Sequence, residues 1–190
     1  RGGLDHEQLM ATVERLWASG IHEHRMAVVE LLKLATPGTL TIDDELGLEH
    51  LLRTARTWAY VDSLAADVIG TLVSSAPKAW DRVLDRWAAD EDFWIRRSAL
   101  LALLVPLRHG GGDFERFARY ADAMLDEREF FIRKAIGWVL RDTGRQRPEL
   151  VAGWIEPRVG RASGITVREA VKHLGAERRA AILAAYAAAH

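Results

Sequence analysis

Four short blocks of this chain line up by their apolar residues: Val61-Asp62-Ser63-Leu64, Ile95-Arg96-Arg97-Ser98, Ile132-Arg133-Lys134-Ala135 and Val167-Arg168-Glu169-Ala170. They recur at intervals of 34, 37 and 35 residues. That spacing is the length of a helical hairpin, a unit that cannot bury its apolar side alone and must stack on the next. Stacked hairpins present equivalent positions along one continuous face. At the second position three blocks carry arginine and the first carries Asp62, so Asp62 reads as an acid in a row of cations and as a candidate reactive group.

Helix signals run from end to end and strand signals are nearly absent. Asp5 is placed to cap a helix to about Ala18, with Leu9, Val13, Leu16 and Trp17 on its apolar side. A second helix is expected from Ile21 to Ala35. Thr41 and Asp44 have the spacing of a capping box opening a helix to about Thr54, and Thr57 caps another to about Ser74. Pro77 suits the first turn of a helix to Ala89, while Asp92 opens one to Val105, where Pro106 helps to end it. His109-Gly-Gly-Gly112 reads as a turn, without the spacing of a phosphate-binding loop. Further helices are expected at Asp113–Leu125, Phe130–Asp142, Pro148–Val159, Thr166–Leu174 and Glu177–Ala189, the last as a terminal cap. About eleven helices in roughly five hairpins make an all-α fold, an α-solenoid forming a single domain over residues 1–190.

Composition narrows the function classes. With 190 residues, 49% of them hydrophobic and 28% charged, the chain is long enough to bury a core. It has no cysteine, which excludes disulfides and thiolate metal sites and fits a reducing, cytoplasmic setting. The apolar run from Ala99 to Leu107 is too short to span a bilayer, and no secretory leader is visible. The chain opens on Arg1 instead of methionine, as expected of a trimmed or partial sequence. A net charge of −1 argues against indiscriminate polyanion binding. Residues 1–50 nevertheless carry 4 Lys/Arg against 9 Asp/Glu, whereas residues 127–172 carry 10 against 6, so the second stretch can offer a local phosphate-binding surface.

Trp58 and Asp62 stand four residues apart and so share one side of a helix. Lys134, Trp138 and Arg141 repeat that spacing, and Arg97 is the counterpart of Lys134 one block earlier. Cations to neutralise phosphates, with aromatic faces among them, suit a nucleic-acid surface. Trp17, Trp80, Trp87, Trp94 and Trp154 read most simply as packing residues. On spacing alone the same holds for Trp58 and Trp138, and Asp62 reads more simply as the partner of an arginine in a neighbouring repeat. His22-Glu23-His24 cannot present both imidazoles on one helix face, and Ser63 has no identifiable histidine partner.

The words at these positions carry more than their spacing. Thr57-Trp-Ala-Tyr-Val-Asp-Ser63, Phe93-Trp-Ile-Arg-Arg-Ser-Ala99, Glu129-Phe-Phe-Ile-Arg-Lys-Ala-Ile-Gly-Trp-Val-Leu-Arg141 and Val167-Arg-Glu-Ala-Val-Lys-His173 resemble, in order and across nearly the whole chain, the DNA alkylation repair family of AlkD-type glycosylases. The resemblance implies HEAT-like repeats with a concave DNA-binding face. It also implies hydrolysis of the N-glycosidic bond of N3- or N7-alkylated purines in double-stranded DNA, by a monomer without metal or organic cofactor. By resemblance Asp62 is the catalytic aspartate, Trp58 and Trp138 flank the lesion nucleotide, and Arg97 and Arg141 contact DNA; Lys134, on the face it shares with Trp138 and Arg141, is expected to bind DNA with them. Compared with the family, the chain is expected to lack an N-terminal helical portion, and Thr57-Trp58-Ala59 departs from the common Trp-Trp-Asp. The alternative is a noncatalytic helical-repeat scaffold that binds DNA or protein.

Overall fold

The computed structural model describes residues 4–35 and 38–190, and over these the chain is helical, with no strand. Residues 1–3 and 36–37 of the expected domain lie outside the described residues. Helices α1 (His6–Ala18) and α2 (His22–Lys33) form a first hairpin. Next come α3 (Glu45–Ala55) and a helical run made of α4 (Trp58–Ser63), a π-helical stretch (Leu64–Ile69) and α5 (Gly70–Ser75). After these stand α6 (Pro77–Ala88) with α7 (Phe93–Leu101) and α8 (Leu104–Arg108), α9 (Phe114–Ala123) with α10 (Phe130–Gly144), and α11 (Pro148–Ile155) with α12 (Gly164–Ala170). Helix α13 (Ala176–Ala189) closes the series. None of these is long and apolar enough to cross a membrane.

The expected caps account for the starts. Asp5 forms a full capping box with Gln8, and Thr41 forms one with Asp44, there opening a 3-10 turn (Ile42–Asp44) ahead of α3. Thr57 and Asp92 cap α4 and α7 by accepting from the backbone N–H groups of Ala59 and Trp94, and Glu129, not singled out from the sequence, caps α10 by accepting from that of Phe131. Gly110 and Gly112 take φ of 84° and 73°, the left-handed backbone that the predicted turn needs.

One expectation fails and another holds with a change of helix geometry. Pro106 does not end its helix: the break comes earlier, at Ala102–Leu103, and Pro106 is the third residue of α8, where a missing N–H costs nothing. The helix expected from Thr57 to Ser74 is continuous but widens to π geometry from Leu64, two residues after Asp62. That stretch takes up an extra residue, rotating α5 about the helix axis relative to Trp58 and Asp62.

Stacking preserves the sequence period in its ion pairs. Along the first helices of successive hairpins an acid meets a cation one repeat later: Glu49 with Arg86 (2.7 Å), Asp81 with Arg116 (2.5 Å) and Asp122 with Arg158 (2.6 Å), while Asp85 accepts a hydrogen bond from the Tyr120 hydroxyl (2.5 Å). Each partly exposed pair adds little stability, but together they fix the register of the stack. The core between the layers holds Trp17, Trp80, Trp87, Trp94 and Trp154, all buried as expected. Trp58, by contrast, is 56% exposed.

Candidate active site

Trp58 and Asp62 lie one turn apart on α4, the second helix of its hairpin. The turn into α4 passes through Arg56 at φ 50°, the one non-glycine residue with positive φ among those described. It reverses the chain so that Thr57 can cap the helix and Trp58 begins it at the molecular surface.

The Asp62 carboxylate is gripped from the next repeat. Arg97 Nε donates to Oδ1 and Nη2 to Oδ2, both at 2.8 Å, a bidentate fork that fixes the plane of the carboxylate. Arg97 Nη1 donates to the Phe131 carbonyl on α10, and the guanidinium carbon sits 5.7 Å from the centroid of the Phe131 ring. The Arg97 side chain is 3% exposed and that of Asp62 17%. Each carboxylate oxygen accepts one N–H from Arg97 and keeps further acceptor capacity.

This geometry corrects two readings of the sequence. Arg97, expected to contact DNA, is buried beneath Asp62 with three donors committed to protein oxygens, so it supports the acid and presents no outward charge. The row of cations around Asp62 also dissolves. Arg96 turns to Glu127 (2.7 Å) and to the carbonyls of Asp90 and Glu91, while Arg133 donates to the Glu127 carbonyl. The partner of Asp62 therefore comes from the third position of the next block, not the second. Stacked helices meet side by side, and aligned positions do not face one another.

Aromatic rings collect around the same point. Phe93 and Trp94 open α7, and Phe130 and Phe131 open α10; Phe93 stacks on Phe131 at 6.2 Å, and Trp94 lies 4.7 Å from Phe131. Phe130 meets Phe131 edge-on and is 52% exposed. Sequence reasoning missed this group. Its signal was the pair of aromatics directly after each capping acid, Asp92 and Glu129.

Along α10, Lys134, Trp138 and Arg141 do share a face, as their spacing required, and it packs on α12. Lys134 Nζ and Arg141 Nη1 donate to the two oxygens of Glu169 at 2.8 and 2.7 Å. Lys172 Nζ adds a bond at 2.9 Å. Trp138 is half-buried, and its Nε1 donates to Asp142 (3.2 Å), which also accepts from Arg108 (2.8 Å) and Arg141 (3.1 Å). Burial opposes ionisation of Glu169, but Lys134, Lys172 and Arg141 outweigh it and hold its carboxyl down at about 2. Asp142 is lowered in the same way, its burial outweighed by Arg141 and Arg108. Neither acid was singled out from the sequence.

The family model described as DNA alkylation repair enzyme matches residues 3–174. The chain belongs to that family. Membership places it in the repair of alkylation damage, with DNA as the substrate. A solved structure, titled as a predicted DNA alkylation repair enzyme from Enterococcus faecalis, aligns with a TM-score of 0.80 at 23% identity, covering 90% of this chain and 77% of that one. That likeness establishes the shared helical-repeat fold of this family member. No curated protein sequence matches it. The helical-repeat architecture read from the period therefore holds, and Trp58, Asp62 and Trp138 all stand on second helices of the repeat.

Proposed function

We propose that the protein is a DNA N-glycosylase that hydrolyses the N-glycosidic bond of cationic N3- or N7-alkylated purines in duplex DNA. The observation that carries the reading is a partly exposed carboxylate, locked in orientation by a buried arginine, one turn from an exposed tryptophan.

The chemistry asks for little more. Cleaving a sugar from a neutral leaving group takes an acid to protonate the departing atom and a second carboxylate at the sugar. An alkylated purine is already positive, so it leaves with the bonding electrons as a neutral base and needs no proton. What remains at C1′ is an oxocarbenium-like deoxyribose. Asp62 stabilises that charge and orients the water that adds to C1′, and the water's proton passes to Asp62 or to solvent. The rings of Trp58 and Trp138 offer π faces to the cationic sugar or base. Lys134 and Arg141 contact DNA phosphates, while Arg97 acts through Asp62 as a positioning residue.

Incubation with duplex DNA containing N7-methylguanine is expected to release free base. Asp62→Asn is expected to reduce release about 100-fold or more, the scale of a lost electrostatic stabiliser, while changing the affinity for undamaged duplex little. Undiminished release by that variant would remove Asp62 from the mechanism. The competing reading, a scaffold that binds DNA without cleaving it, rests on the fact that an Asp62–Arg97 bridge is also what a structural ion pair looks like. Salt-sensitive duplex binding without base release would favour it.

A further inference from the structure

The α10–α12 contact is an unusual place for a carboxylate. Glu169 is 8% exposed and reaches across α10 at Gly137, where an added Cβ would lie 2.9 Å from Glu169 Cβ and 3.2 Å from Thr166 Cα. Over it converge Lys134, Arg141 and Lys172. The neighbouring Asp142 is met by Arg108 and Arg141, with Arg145 at 4.0 Å. Five cations thus surround two carboxylates, a surplus of positive charge on one small surface.

Exposure is divided unevenly within the cluster. The side chains of Lys134 and Lys172 are 39% and 45% exposed, that of Glu169 only 10%. Each ammonium gives one hydrogen bond to Glu169 Oε1 and has two further N–H donors. Three like charges would not gather this closely without the acid beneath them. The arrangement is a set of phosphate-binding groups assembled around an internal anion.

We infer that Lys134, Arg141 and Lys172 form a seat for one phosphate of the DNA backbone, and that Glu169 is the anion that fills it while DNA is absent. This rests on the reading that DNA lies along the face carrying Asp62 and Trp138. When a phosphate draws the cations outward, Glu169 loses part of its compensation while still buried, so the protein's own acid opposes DNA binding. Glu169 then sets how tightly, and how reversibly, this end of the face holds the duplex.

The test uses the full chain and an undamaged duplex, with affinity measured across a range of salt concentrations and thermal stability recorded for each variant. Glu169→Gln keeps the side chain's shape and removes its charge. It is expected to bind DNA about fivefold more tightly at low salt, the effect of one unit charge some 4 Å from a phosphate at water-like screening, while melting at a lower temperature. A purely structural glutamate would lower both. Lys172→Ala is expected to reduce the dependence of log K on log salt by about one. Weaker or equal binding by Glu169→Gln, or an unchanged salt slope in Lys172→Ala, overturns the seat. Base release that persists in the unaltered protein and disappears in Asp62→Asn would still uphold the glycosylase reading.

Discussion

At Asp62 the acid is partly exposed and its arginine is buried; at Glu169, three blocks further along the chain, the exposures are reversed. One carboxylate is met by one guanidinium, which holds it outward. The other lies under three cations, which it holds in place. The repeat supplies the same scaffold to both, and the placement of charge decides what each end presents to a ligand: a negative group at one, exposed positive groups at the other. A surface that must bind a polyanion and also stabilise a cation at one atom needs both. On the proposed reading, the separation leaves Asp62 with a single buried cation behind it and keeps the exposed cations at the other end.

The largest test of this contrast is Arg97→Ala. It removes the buried half of the first pair, with its hydrogen bonds to Asp62 and to the Phe131 carbonyl, so it is expected to cost about 2–3 kcal/mol of stability. A denaturant titration measures it. Arg97→Lys restores charge but not the fork, and should recover stability better than base release. Equal recovery of both would mean that orientation of Asp62 does not matter.

Acid affects the second region next. Glu169 ionises in the folded protein at about 2, against 4.5 for an ordinary glutamate, so its charge stabilises the fold above about pH 4.5. That contribution declines as pH falls from there toward 2. Asp142, Glu49 and Asp90 are lowered too and act with the same sign. The melting temperature of the unaltered protein is therefore expected to drop steeply between about pH 5 and 3, and that of Glu169→Gln to start lower and drop less. Parallel curves would show that Glu169 is not held ionised by its neighbours.

The period of the blocks was enough to specify the stack, because each hairpin must bury its apolar side on the next. The caps at Asp5, Thr41, Thr57 and Asp92 were legible because capping depends on local sequence. What escaped was everything set by the offset between neighbouring helices. Aligned blocks put Arg96 and Arg133 beside Asp62, yet the helices meet with Arg97 in reach and the other two turned to the loops. Glu169 was not singled out, because its close fit against Gly137 and its bonds to Lys134 and Arg141 come from another helix. The π-helical stretch after Asp62 was equally hidden: Leu64 to Ile69 contains apolar residues at spacings that fit either helix.

The two tryptophans divide along the same line. Trp58 is 56% exposed beside the outward acid. Trp138 is half-buried, with its indole N–H bonded to Asp142 in the cationic cluster. Trp58→Ala is expected to change stability by no more than about 0.5 kcal/mol, as exposed substitutions do. Its base release should fall about tenfold, the value of a lost contact between a π face and a cationic sugar or base. Trp138→Ala removes packing and a hydrogen bond to a buried carboxylate, so it should lower both stability and base release. Melting curves alongside base-release rates separate the two. If Trp58→Ala loses stability but not activity, the exposed indole serves the fold, and the surface around Asp62 loses its claim to the lesion.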